Sequence, residues 1–142
     1  ALLFAAARSD HVARVIRPAL AAGQWVVCDR FVDSSRAYQG GAGGLGDEAV
    51  FGLHAIGSGG LLPDLTLLLE APGDAVASRI AERDGDAADK IGGRGDDFHD
   101  RVAAAFSELA AKEPERFRRI DASGTPEGVH ARIMAAIEPL LR

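Results

Sequence analysis

The 142 residues hold one cysteine, one methionine, one tryptophan and one tyrosine. A single cysteine excludes an intrachain disulfide framework and a multi-cysteine zinc site. No apolar run approaches the ~20 residues of a membrane span, and no basic stretch followed by an apolar one opens the chain, so the expected setting is cytoplasmic. Positive charge is also in short supply: 16 Lys and Arg against 21 Asp and Glu leave a formal net charge of −5. That balance argues against a nucleic-acid polymer or an acidic membrane as partner. If the ligand is an anion, a few placed arginines must bind it against the overall field.

What is present fits one soluble domain, 1–142, with a real core, since 47% of the residues are apolar and 26% charged. Seventeen glycines are many for this length and cluster at 40–46, 57–60 and 92–95, which suggests loops around a site. Leu2 to Ala22 reads as a helix, with Val12, Val15, Ile16, Ala19 and Leu20 forming one apolar stripe. Pro18 predicts a local kink and Gly23 a stop. Trp25–Cys28, Leu65–Leu69 and Phe117–Ile120 are short runs ending abruptly at Asp29, Glu70 and Asp121. Runs without polar alternation suit strands of a parallel sheet covered on both faces. Helical patterns lie between them, at Glu48–Ile56, at Asp74–Glu82 and over Phe98, Val102, Ala105, Phe106 and Leu109. A last helix follows the cap and first-turn proline of Thr125-Pro126. Alternating strand and helix predicts an α/β fold.

In an open parallel sheet, ligands bind at the carboxyl ends of the strands. Asp29-Arg30 follows Cys28 at such an end. The arginine could fork onto phosphate oxygens while the carboxylate orients it or holds a metal-bound water; equally, the pair could simply close a loop. Phe4 and Arg8, four apart, share a helix face, where a ring and a guanidinium can stack on a flat base and donate to its carbonyl. Taken alone, Phe4 reads as core. Asp33-Ser34-Ser35-Arg36-Ala37-Tyr38-Gln39-Gly40-Gly41 adds small hydroxyls, a phenol, an amide and glycines that let backbone approach a ligand.

These segments carry a resemblance. AAAR at 5–8, RPALAAGQWVVCDRF at 17–31, DSSRAYQGG at 33–41, PDLTLLLE at 63–70 and FHDRV…EPERFRRIDAS at 98–123 closely resemble bacterial thymidylate kinases, in order along the chain. The resemblance implies a P-loop NTPase-like three-layer αβα fold around a parallel five-stranded sheet, three of whose strands are expected here. It implies transfer of the ATP γ-phosphate to dTMP with Mg2+, in a homodimer. Phe4 would stack on thymine and Arg8 would bond a base carbonyl. Arg30 would bind the monophosphate, and Asp29 would act through the magnesium and water shell. Ser34 and Ser35 would lie by the base, Tyr38 would close on the sugar and disfavour a 2′-hydroxyl, and Gln39 would line the site. The 83–97 loop matches the family's lid, with Arg83 and Arg94 as catalytic candidates and Arg79 and Lys90 on the ATP side.

The pattern also departs from the family. No G-x-x-x-x-G-K-[ST] occurs in these residues. GGAGGLGDE at 40–48 has glycines but neither a lysine nor a preceding buried strand. Ala1 opens inside an apolar helix-like run, so the expectation is a chain that begins part-way through the fold, with roughly 60 residues before it. Asp89-Lys90-Ile91-Gly92 replaces the Asp-Arg-Ile/Phe-Glu of many bacterial members, exchanging a planar guanidinium for an ammonium. Two other readings stand beside the kinase: a non-catalytic nucleotide-binding remnant, and a kinase for another deoxynucleoside monophosphate. His11, His54, His99 and His130 lack metal-ligand spacing and read as surface or capping residues. Cys28 reads as a small filler ending a buried strand, Glu108 and Glu113 as helix surface, and Asp121 as a candidate for lining a base pocket.

Overall fold

The computed structural model describes residues 1–71 and 96–141. The expected helix Asp74–Glu82, which carries Arg79, and the loop residues Arg83, Lys90 and Arg94 lie outside the described residues. Asp96 and Asp97, placed in the lid on sequence, instead open a helix. Packing divides the chain into two compact units, residues 1–62 with 98–109, and residues 63–97 with 110–142.

In the first unit, α1 (Leu2–His11) runs through a π-helical turn, Val12–Ile16, into α2 (Arg17–Ala21). The departure expected at Pro18 falls one turn earlier. Pro18 has no N–H to donate, and the wider turn, in which Arg17 N–H reaches the Val12 carbonyl, seats the proline in the first turn of α2. The helix stops at Gly23 as expected. Its φ of 71° lets Gly23 N donate to Leu20 O and Gln24 N to Ala19 O, both at 3.0 Å. The apolar stripe divides: Val12 and Ile16 are buried, whereas Val15 and Leu20 are exposed. Full burial of a side chain such as Val12 stabilises by roughly 1.5–3 kcal/mol.

Trp25–Cys28 is not a strand. Trp25 is 61% and Val27 95% exposed, and among the described residues no strand pairs with this segment. An extended run becomes a strand only when a neighbour takes its backbone bonds. The expected third strand is therefore a correction, and Cys28 is exposed rather than a buried filler. After it come α3 (Val32–Ser35), a seven-residue π-helical segment, Arg36–Ala42, and α4 (Asp47–Ser58), which ends at Gly59 with φ 61°. α1 and α4 pack together, and Ser9 Oγ donates to the Gly57 carbonyl across that contact. The helix α5 (Asp96–Lys112) lends residues 98–109 to this unit. Its Ala105 lies so near Gly41 that a Cβ on the glycine would stand 2.6 Å from the alanine Cβ.

The second unit holds a parallel pair, β1 (Thr66–Glu70) and β2 (Phe117–Asp121), in the register Thr66↔Phe117 to Glu70↔Asp121. Both match the expected runs. Arg116 leads into β2, buried, bonding Glu113 at 2.7 Å and Thr66 Oγ1 at 2.7 Å, so Glu113 is a structural anchor rather than bare helix surface. α6 (Pro126–Ile137) starts where Thr125-Pro126 predicted, with Thr125 Oγ1 accepting from Gly128 N at 3.3 Å. A 3₁₀ turn, Glu138–Leu141, follows. No helix of the described residues is long and apolar enough to cross a membrane.

Candidate functional site

Most of the predicted ligand residues fall in the first unit and converge on one short piece of chain, Phe31 to Gln39. Arg8 projects from α1, is buried, and donates from Nη2 to Ser35 Oγ on α3. Its guanidinium carbon also stands 5.8 Å from the centroid of the Phe31 ring. Burial pulls its pKa down while the charge of Asp33 opposes the shift, and a guanidinium remains protonated at neutral pH either way.

Arg30 meets the same segment at Tyr38. Its guanidinium carbon lies 5.5 Å from the Tyr38 ring centroid. Its φ of 65° makes it the one non-glycine with positive φ among the described residues. A bulky residue in that conformation costs of order 1–2 kcal/mol and persists only where the surroundings impose it. Arg30 itself is exposed, so its charge is available to solvent or to an anion. Asp29 is exposed beside it. Cys28 Sγ contacts the Arg30 carbonyl at 3.4 Å. Partial desolvation, and secondarily Asp29, push the Cys28 thiol up, which disfavours a thiolate.

Tyr38, on the π segment, is half-buried between Arg30 and two rings of α5, Phe98 at 6.2 Å and Phe106 at 6.3 Å. Ser34 and Gln39 are half-buried on the same stretch. The Gln39 carbonyl accepts from Leu45 N at 3.1 Å. Phe4 is 59% exposed, so its ring is not core; it is one helical turn from Arg8 and open to a ligand. Arg8 with Ser35, and Arg30 with Tyr38, are thus brought into contact.

Three buried groups here escaped the sequence reading. Arg36 holds Asp47 through two bonds, Nε to Oδ1 at 2.6 Å and Nη2 to Oδ2 at 2.9 Å, and Asp33 at 3.3 Å. Asp33 is itself buried. His54, expected at the surface, is fully buried, with its ring 5.5 Å from Phe31 and Nε2 2.6 Å from the Leu61 carbonyl. Desolvation holds its pKa below the usual value, so the ring is neutral and Nε2–H is the donor. Its Nδ1 has no hydrogen-bond partner. The available signal was position: His54 lies four residues after Val50 on an apolar helix face.

In the second unit a cavity of about 490 Å³ opens at the carboxyl ends of the strands, lined by Leu69, Ala122, Gly124, Pro126, Val129, His130 and Ile133. Asp121 does not line it; its carboxylate accepts from Ser123 N at 2.8 Å, and hydrogen bonding from the Ser123 side chain, then from its backbone, holds its pKa below the usual range.

A family model for thymidylate kinase matches residues 1–133. A thymidylate kinase of Rhizorhabdus wittichii is 60% identical over 141 residues, covering 99% of this chain and 68% of that protein. The chain belongs to the thymidylate kinase family. Thymidylate kinases of Desulfovibrio desulfuricans and a Synechococcus strain are 50% and 47% identical, with 99% of this chain matched in each case. The chain spans 66–68% of the length of these three relatives. The family places it in the α/β P-loop NTPase fold, and the parallel β1–β2 pair agrees with that class.

Proposed function

We propose that the chain carries the acceptor-nucleotide half of a kinase that moves the γ-phosphate of ATP to dTMP, giving dTDP for dTTP synthesis. The supporting observation is the convergence of Arg8 and Arg30 on the single stretch Phe31–Tyr38. In this reading Phe4 stacks on thymine, and Arg8 donates to a base carbonyl with Ser34 and Ser35 alongside. Arg30 forks onto the monophosphate, Tyr38 closes on the deoxyribose, and Gln39 lines the wall. Burial of Arg8 favours base recognition over phosphate binding, because its hydrogen bond to Ser35 fixes the plane of the fork. Exposure of Arg30 favours the phosphate, which keeps part of its hydration.

Phosphoryl transfer asks for in-line placement and neutralised charge rather than covalent help. Arg83 and Arg94 are proposed to meet the developing charge, with Arg79 and Lys90 on the ATP side. Among the described residues, no three His, Cys, Asp or Glu side chains gather as a metal cage. The exposed Asp29 suits Mg2+ held mainly by phosphate oxygens and water, which Asp29 would contact through a water. When bound, the ion offsets phosphate charge. A cytoplasmic homodimer completes the proposal, with exposed Val15 and Leu20 available for pairing. The test is ADP release by the full encoded protein with dTMP, dUMP and dGMP as acceptors. Turnover with dTMP in preference to the others is expected; release that does not depend on dTMP refutes the reading.

A further inference from the structure

The π segment that carries Tyr38 is tied down by a side chain with no assigned role. Arg36 begins that segment and is 6% exposed. Its fork closes on both oxygens of Asp47, eleven residues ahead, and its third arm meets Asp33. Its guanidinium carbon is 5.3 Å from the Phe51 ring centroid, so the planar group is also stacked. The chain between the two partners turns through Gly44 and Gly46, at φ 75° and 82°. Such a glycine loop has much conformational freedom to lose. Its own backbone contributes three bonds back onto the segment, Gly44 N to Gly41 O at 3.2 Å, Leu45 N to Gln39 O at 3.1 Å and Gly46 N to Gly40 O at 3.0 Å. The bidentate pair closes this ring of chain at its base. A surface ion pair would contribute little, but this one is buried on the arginine side and two-pronged.

We infer that Arg36 and Asp47 form a clasp that positions Tyr38 against the sugar of the acceptor nucleotide. The arginine is a positioning residue, since its donors are spent inside the fold. The inference rests on the nucleotide reading above for its substrate, and on the geometry alone for its effect on Tyr38.

Tyr38 is the single tyrosine of the 142 residues, so 3-fluorotyrosine labelling places one fluorine reporter at this position. In the chain without nucleotide, Asp47→Asn is expected to broaden the resonance and move it toward that of the free amino acid. Asp47→Glu, which keeps a carboxylate, is expected to restore it in part. A resonance in Asp47→Asn that superimposes on the wild type overturns the clasp. Should Asp47→Asn lose its circular dichroism, Arg36→Lys carries the same readout with the same two outcomes. In titrations with dTMP and its ribose counterpart, the variant's preference for deoxyribose is expected to fall about twofold or more, as for coupled neighbours. A wild type that discriminates beside a variant that discriminates equally overturns the inference alone. A wild type that binds neither nucleotide overturns the acceptor reading and the inference with it.

Discussion

Replacing Arg30 by glycine separates what the fold needs at that corner from what a ligand needs. Arg30 is held at φ 65°, where glycine sits without a Cβ penalty. Relief of that strain contributes about 1–2 kcal/mol in favour of the variant. Against it stand the lost contact with the Tyr38 ring, worth ~0.5–1 kcal/mol at an exposed site, and the greater freedom of glycine in the unfolded chain, about 0.5–1 kcal/mol. These terms nearly cancel, so Arg30→Gly should melt within about 1 kcal/mol of the wild type. Arg30→Met keeps the strain and loses the contact, and should be the less stable of the two. Binding should behave differently. Two charge-assisted bonds to phosphate at about 1.5–3 kcal/mol each predict a loss of dTMP affinity of roughly 10²–10⁴-fold in both variants. Urea unfolding and calorimetric titration on the same samples give the two numbers. Undiminished dTMP affinity in a folded Arg30→Gly chain would refute the assignment. A large loss of stability in Arg30→Gly would show that the left-handed corner is held by the side chain rather than imposed on it.

Three further outcomes follow from the geometry. Tyr38→Ala should narrow the preference for deoxyribose over ribose, while Tyr38→Phe, which keeps the packing against Phe98 and Phe106, should retain it; the ratio of the two affinities is the readout. Gly41→Ala should destabilise by about 1–3 kcal/mol in urea unfolding, because its Cβ would stand 2.6 Å from Ala105 Cβ. His54 has a folded-state pKa below the ordinary 6.5, so the unfolded chain binds more protons below that pH. Stability supplied by the neutral ring is therefore present above pH 6.5 and lost as pH falls through it, and His54→Gln should flatten that slope in melting curves.

The elements that could be read from sequence are those set by local chemistry. Thr125-Pro126 starts α6 because a hydroxyl and a residue without an N–H suit the first turn, and Gly23 ends α2 because it accepts a positive φ. β1 and β2 end at acidic residues where they leave the sheet. What could not be read depends on distant partners. Trp25–Cys28 has strand composition, yet a strand also needs a neighbour, and none among the described residues supplies it. Arg36 looks like any charged surface residue until Asp47, eleven positions away, folds back to it. His54 carries a polar label, but its ring is apolar enough to sit between Phe31 and Phe51 once Leu61 takes its N–H. At the candidate site, only the family resemblance set Arg8 and Ser35 beside one base; their direct bond, across 27 residues, was not legible in the sequence.

Arg30 as the phosphate-binding group is tested most directly by comparing dTMP with thymidine, on the wild type and on Arg30→Met. The two ligands differ only in the phosphate, so their affinity ratio isolates it. Strong discrimination is expected in the wild type, roughly 10²-fold or more, and close to none in the variant. Equal discrimination by both proteins would contradict Arg30 as the phosphate-binding group.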